Sequence, residues 1–180
     1  MKIITLEQLY IEELRDLYSA ETQLIKALPG IIDAVESQDF KDSLTEHLEE
    51  TKYHKDRLMT IFIGLQTKPD GNICEATEGL LKESKEIISE IPAGWLRDSA
   101  LTGSCLRIEY YEQAAYLSAI PLAEALDYPD QSEILAETLA EEMNAGEIIS
   151  EMGDMLLEGP YSEQVDLEWD EMNFLTSRMG

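Results

Sequence analysis

Glutamates and histidines stand in register with leucines and isoleucines along four stretches of this sequence, and that combination is suited to holding metal. Glu21 sits one turn from Leu17 and Leu24. His47, Glu50 and His54 lie at i, i+3 and i+7 between Leu44 and Leu58, Glu109 and Glu112 at i, i+3 just after Ile108, and Glu142 between Leu139 and Gly146. Helical spacings of three, four and seven residues put each set on one stripe, the stripe that also carries the apolar side chains. An unpaired carboxylate buried there is strongly disfavoured unless a cation is shared among several of them. The candidate ligands are therefore Glu21, His47, Glu50, His54, Glu109, Glu112 and Glu142. Carboxylates with one or two imidazoles form the mixed oxygen and nitrogen set that suits Fe or Mn, and the number of acids suits two ions per chain. No Cys and His set of tetrahedral zinc spacing appears, nor a Gly-rich phosphate loop or a Ser, His and Asp triad.

The elements that must position these residues are helices. Thr5 and Gln8 make a capping box, with Ile4 and Leu9 placed as a hydrophobic staple, so a first helix is predicted from residue 6 to about 36, kinked at Pro29 and Gly30. Asp39 is placed to cap a second helix whose period runs through Leu44, Leu48, Thr51, Leu58, Ile61, Phe62 and Leu65. The turn residues Pro69, Asp70 and Gly71 follow, and residues 74–91 read as a shorter helix closed by Pro92 and Gly94. A third long helix spans 95–126 with a bend at Pro121. Asp130 and Glu133 start a fourth, stopped by Gly159 and Pro160. Short turns make two antiparallel hairpins, and the stretch from 66 to 94 is long enough to cross a helix of roughly 40 Å. The fold class is thus all-α: a four-helix bundle of two hairpins joined by a long crossover containing a short helix, with the candidate ligands near mid-bundle. Residues 1–158 form this bundle, and 159–180 form an acidic C-terminal extension carrying Val165, Leu167, Trp169, Met172, Phe174 and Leu175.

A chain of 180 residues that is 44% hydrophobic suits one globular domain. Its net charge of -25, against 13 basic residues, excludes binding to nucleic-acid phosphates or anionic lipid and favours cations as partners. No run of ~18 apolar residues is present to span a membrane. Two cysteines, Cys74 and Cys105, are too few to staple a chain this long, which points to a reducing, cytoplasmic compartment. Cys105 reads as core filler. Cys74 starts the short helix with no base beside it. Tyr18, Tyr53, Tyr110, Tyr111 and Tyr116 fall near the level of the ligands, where a phenol bonded to a carboxylate is their expected use. Glu13 is read as an ion-pair partner of an arginine such as Arg57 or Arg107.

Order and spacing also carry a resemblance. Glu13-Leu-Arg-Asp-Leu-Tyr-Ser-Ala-Glu21, His47-Leu-Glu-Glu-Thr51, Arg57-Leu58 with Phe62, Cys74-Glu-Ala-Thr-Glu-Gly-Leu80, Glu109-Tyr-Tyr-Glu112 with Ala115 and Tyr116, and Leu139 with Glu141-Glu142 and Ala145 resemble the YciF-like ferritin-like family. The resemblance implies a ferritin-like four-helix fold, a homodimer, a di-metal centre and an association with bacterial stress responses. It carries over Glu21, Glu50, Glu109, Glu112 and Glu142 as ligands, with His47 at a position where the family has a histidine. Two departures stand out. Tyr110 replaces the histidine of the family's Glu-His-Tyr-Glu, and neither expected helix has the Glu-x-x-His of di-iron bundles, the fourth carrying Ala145 at the histidine position. The functional expectation is a dinuclear Fe or Mn protein reacting with peroxide or oxygen. The alternative is a non-catalytic structural or interaction dimer whose acidic centre is empty or binds metal adventitiously.

Overall fold

The computed structural model describes residues 3–158. Five helices follow in order: α1 (Leu6–Ala34), α2 (Gln38–Gly64), α3 (Glu75–Glu90), α4 (Trp95–Ala125) and α5 (Pro129–Glu158). No strand occurs among the described residues, and none of the helices there is long and apolar enough to cross a membrane. α1 packs on α2 and α4 on α5 as the two hairpins. α1 also packs on α4, and α2 on α5, which closes a four-membered ring.

The core consists of two apolar halves. One joins Leu28 and Ile31 of α1, Phe40 and Leu44 of α2, Leu101 and Cys105 of α4, and Ile149 of α5. The other joins Leu14 and Leu17 of α1, Leu58 and Phe62 of α2, Tyr116 and Ala119 of α4, and Leu135 of α5. The end of α1 therefore meets the starts of α2 and α4 and the end of α5, so α2 and α4 run parallel. α3 makes that geometry possible. It lies across α1 and α4 while the crossover returns the chain to the end from which α2 began.

The helix starts follow from capping chemistry, and the structure corrects the predicted staple and three of the predicted bounds. Thr5 Oγ1 accepts from the Gln8 N–H at 3.1 Å, and Gln8 Oε1 from the Ile4 N–H at 2.9 Å, as a capping box should. The staple does not form, because Ile4 is 80% exposed. α1 passes through Pro29 without ending and stops at Ala34, before Glu36. α2 is capped by Ser37, whose side chain accepts from the Phe40 N–H at 3.4 Å, in place of Asp39. α5 starts at Pro129, one residue before the predicted Asp130, since a proline at the first helical position sacrifices no hydrogen bond. The stop at Gly159 and Pro160, like the acidic extension, lies outside the described residues.

The α1–α2 turn is held by α4. Asp98 is buried in the first turn of α4, and its carboxylate accepts from the backbone N–H of Glu36 at 3.1 Å and of Ser37 at 2.8 Å. The neighbouring Arg97 donates to the carbonyl of Ala34, the last residue of α1. Two adjacent side chains thus satisfy donors and an acceptor that the turn leaves open, which locks the hairpin to α4.

Candidate metal centre

Between the two apolar halves the bundle core turns polar. Glu21 of α1, His47, Thr51 and His54 of α2, Glu109 and Glu112 of α4, and Glu142 of α5 are all at most 4% exposed. Their ligand atoms fall into two groups: His47, Glu109, Glu112 and Glu142, and Glu21, His54 and Glu142. Within each group the atoms lie within 4.8 Å of one another, and Glu142 belongs to both. Six of the seven candidates are thereby brought together.

Glu50 is the seventh, and the fold turns it away. Its side chain is 35% exposed and touches the group only through His47, Nδ1 to Glu50 Oε2 at 3.7 Å. Thr51, the next residue, faces inward and uses its hydroxyl on the carbonyl of His47 at 2.7 Å. His54, one turn further, is 0% exposed and fully part of the site.

The donors form a contact network. His47 Nε2 faces Glu109 Oε1 at 3.3 Å, while His54 Nδ1 lies 2.8 Å from Glu142 Oε1 and 3.8 Å from Glu21 Oε1. The 2.8 Å approach is an ion-pair contact, although neither atom makes a hydrogen bond. Both oxygens of Glu112 and of Glu142, Glu21 Oε2, Glu109 Oε2 and the Nδ1 atoms of both histidines are likewise buried without a hydrogen-bond partner. Such concentrated dissatisfaction is rare in folded cores, because each buried polar atom without a partner is destabilising. Metal coordination would satisfy the carboxylate oxygens and His54 Nδ1, with His47 offering Nε2 and keeping Nδ1 turned toward Glu50. The donor set fits an Fe or Mn ion on this observation.

Electrostatics follow from burial. Loss of water, then the charge of Glu142, pushes the Glu21 carboxyl up to about 8. Burial likewise raises Glu109 and Glu112 well above the usual carboxyl range, with Glu142 adding to both. Burial also disfavours the charged imidazole of His47, but Glu109 and then Glu50 outweigh it and raise the ring to about 10. Burial opposes ionisation of Glu142 as well, yet His54 and His47 keep it below the usual range, so the shared carboxylate is the ionised one. Without metal, protons occupy the places where cations would bind.

A supporting shell escaped sequence reasoning. His54 Nε2 donates to Glu141 Oε2 at 2.9 Å, and Arg57 holds Glu141 from the other side, Nη2 to Oε1 at 3.0 Å and Nη1 to Oε2. The Arg57 guanidinium keeps the Glu141 carboxyl below its usual range, so Glu141 accepts and His54 presents Nδ1 to the centre. Arg57 also bonds Glu137 at 2.9 Å, and Arg107 faces Glu83 at 3.5 Å. Neither ion pair involves Glu13, contrary to its predicted pairing. The signal was present in the sequence: Arg57 stands one turn beyond His54, and Glu141 directly before Glu142.

Of the five tyrosines, Tyr116 is bonded to the centre, its hydroxyl donating to Glu21 Oε1 at 2.6 Å. Tyr111 donates to Asp16 and sits 2.8 Å from the Cys74 sulfur. Tyr18 packs edge-on against Phe62. Tyr53 and Tyr110 are 66% and 59% exposed and face away, so the tyrosine standing where the family has a histidine points out of the bundle. Cys105 is buried in the apolar half-core, which pushes its thiol up to about 12, as inert filler should be.

Residues 5–158 match the family described as a domain of unknown function (DUF892). The chain is 34% identical over 148 residues to Protein YciF of Escherichia coli strain K12, covering 79% of this chain and 86% of that one. The crystal structure of the E. coli stress protein YciF superposes with a TM-score of 0.84 at 31% identity, over 87% of this chain and 99% of that one. YcfI from Rhodopseudomonas palustris, provisionally described as a structural protein, does so with a TM-score of 0.80 at 38% identity, over 83% and 95%. A Xanthomonas campestris pv. campestris protein shares the fold at 14% identity, with a TM-score of 0.70 over 89% and 99%.

Proposed function

Since the chain belongs to the YciF-like family, the domain of unknown function DUF892, we propose that it is a ferritin-like protein whose dinuclear Fe or Mn centre reacts with peroxide or oxygen in protection against stress. The observation that carries this reading is Glu142, a buried carboxylate common to two donor groups and left without a hydrogen bond in either. Glu21, His54 and Glu142 would hold one ion, and His47, Glu109, Glu112 and Glu142 the other. The four carboxylates balance two divalent charges with both imidazoles neutral. When bound, the ions supply the electrons for reducing the oxidant.

The protein's own residues set the conditions for that chemistry. Apolar half-cores above and below the site keep bulk water out. Glu141 and Arg57 fix the ring of His54, and the Tyr116 hydroxyl orients Glu21 and holds a proton 2.6 Å from its carboxylate. The protein acts in the cytoplasm as a homodimer. A second reading, a helical scaffold without catalysis, draws support from the structural description of YcfI.

Metal analysis of protein purified without chelator, beside Glu142→Ala, separates the two. On the first reading wild type holds close to two ions per chain and Glu142→Ala at most one, with helix content unchanged by circular dichroism. On the second, neither protein retains metal. Peroxide consumption and ferrous oxidation by the loaded protein then test turnover.

A further inference from the structure

One cavity borders the centre at His47, which alone of the six buried donors lines it. It lies between α2 and α5, has a volume of about 110 Å³, and is lined by Glu46, His47, Glu50, Asn144, Ala145 and Ile148 among others. The cavities at the α4–α5 turn and beside the crossover include none of the seven candidate ligands. His47 forms the partition. Its Nε2 faces Glu109 in the centre at 3.3 Å, while its Nδ1, buried and without a hydrogen bond, faces Glu50 Oε2 on the cavity side at 3.7 Å. The far wall is low because Ala145, one turn beyond Glu142, contributes a single methyl group.

We infer that this cavity is the port by which divalent cations reach the buried centre, with Glu50 and His47 Nδ1 forming a transit site at its inner end. The inference rests on reading the centre as a metal site and adds how that site is filled. A cation cannot cross the apolar half-cores, where its desolvation has no compensation, so it needs a path lined by oxygen and nitrogen. The cavity offers one on its polar side, where Ser43, Glu46, Glu50 and Asn144 line it and His47 closes it, the rest of the wall being Ala145, Ile148 and Ile149. Its volume holds a partly hydrated ion, since each water occupies about 30 Å³. Glu50 is open to solvent on one side and within reach of His47 on the other, the position of a group that captures an ion and hands it on. A small swing of the His47 ring into the cavity clears the way to Glu109. This gives the half-exposed Glu50 a role separate from that of the six buried donors.

Loading kinetics test the port. Full-length protein freed of metal by chelator is mixed with Co²⁺, and the visible ligand-field absorbance reports the rate, final amplitude and spectrum. Glu50→Gln, a conservative change at a partly exposed position, should load about tenfold more slowly, as expected when a charge that focuses cations is removed. Its final amplitude and spectrum should match wild type. Ala145→Met, which fills the cavity, should slow loading with the same end point. Loading of Glu50→Gln at the wild-type rate overturns the port while leaving the centre standing. A lowered amplitude or altered spectrum makes Glu50 a resident ligand and also overturns it. No Co²⁺ uptake by wild type removes the centre itself, and the port with it.

Discussion

Glu112 allows the cost of the buried carboxylates to be measured directly. It is 0% exposed and neither of its oxygens has a hydrogen-bond partner. Glu112→Met replaces it with a side chain of similar volume that needs no partner, a kind of swap that cores tolerate well. In chelator, removing one unsatisfied buried polar group should stabilise the protein by about 2 kcal/mol. For a chain of this length that corresponds to a rise in Tm of about 4–8 °C. Metal reverses the advantage. Wild type gains about 2.7 kcal/mol for each site at an ion concentration one hundred times Kd, whereas the variant keeps only the Glu21, His54 and Glu142 group intact and gains from one site. Thermal denaturation by circular dichroism, with chelator and then with excess Mn²⁺, reads both effects. If Glu112→Met is the less stable protein in chelator, or if Mn²⁺ raises the Tm of both proteins equally, the account of these carboxylates as a metal site held at the expense of stability is refuted.

pH supplies an independent check. Glu21 rises from the usual 4.5 to about 8, and Glu109 and Glu112 move the same way, so above pH 4.5 the folded state binds more protons than the unfolded chain. Stability therefore falls as pH rises through about 8. His47, raised from 6.5 to about 10, contributes stability below pH 6.5 that is lost as pH rises through its folded value. Glu141 and Glu142, both lowered, lose their contribution only in acid. The Tm of metal-free protein should thus decline between pH 5 and 9; a rise across that range contradicts the assignments. Glu141→Gln leaves His54 without its ionised acceptor and should weaken Mn²⁺ binding by about 10–100-fold at unchanged helix content, as measured by calorimetry. Asp98→Ala strands the Glu36 and Ser37 N–H groups and should cost about 2–3 kcal/mol in urea denaturation, with metal stoichiometry unaffected. Gly79→Ala, in an open position on α3 where a Cβ meets nothing within 4 Å, should stabilise by about 1 kcal/mol in the same assay.

The helices and the two hairpins were legible because a 3.6-residue apolar repeat is a local property. Leu14, Leu17, Leu24 and Leu28 mark the buried face of α1 whatever packs on it, and the Thr5 and Gln8 box needs nothing beyond its own turn. Candidate ligands were legible for the same reason, since an acid in the leucine stripe must share the fate of the leucines. Tertiary packing alone decided which of them meet. Seven residues make just under two turns, so His47 and His54 fall on one stripe with Glu50 near its edge, and only the rotation of α2 against α4 and α5 turns both rings in and leaves Glu50 at the rim. Asp98 on the α1–α2 turn and Arg57 on Glu141 join helices more than 60 residues apart in sequence. No periodicity encodes such pairs, because a hydrogen bond depends on the positions of both partners in space and the sequence spacing constrains only one helix at a time.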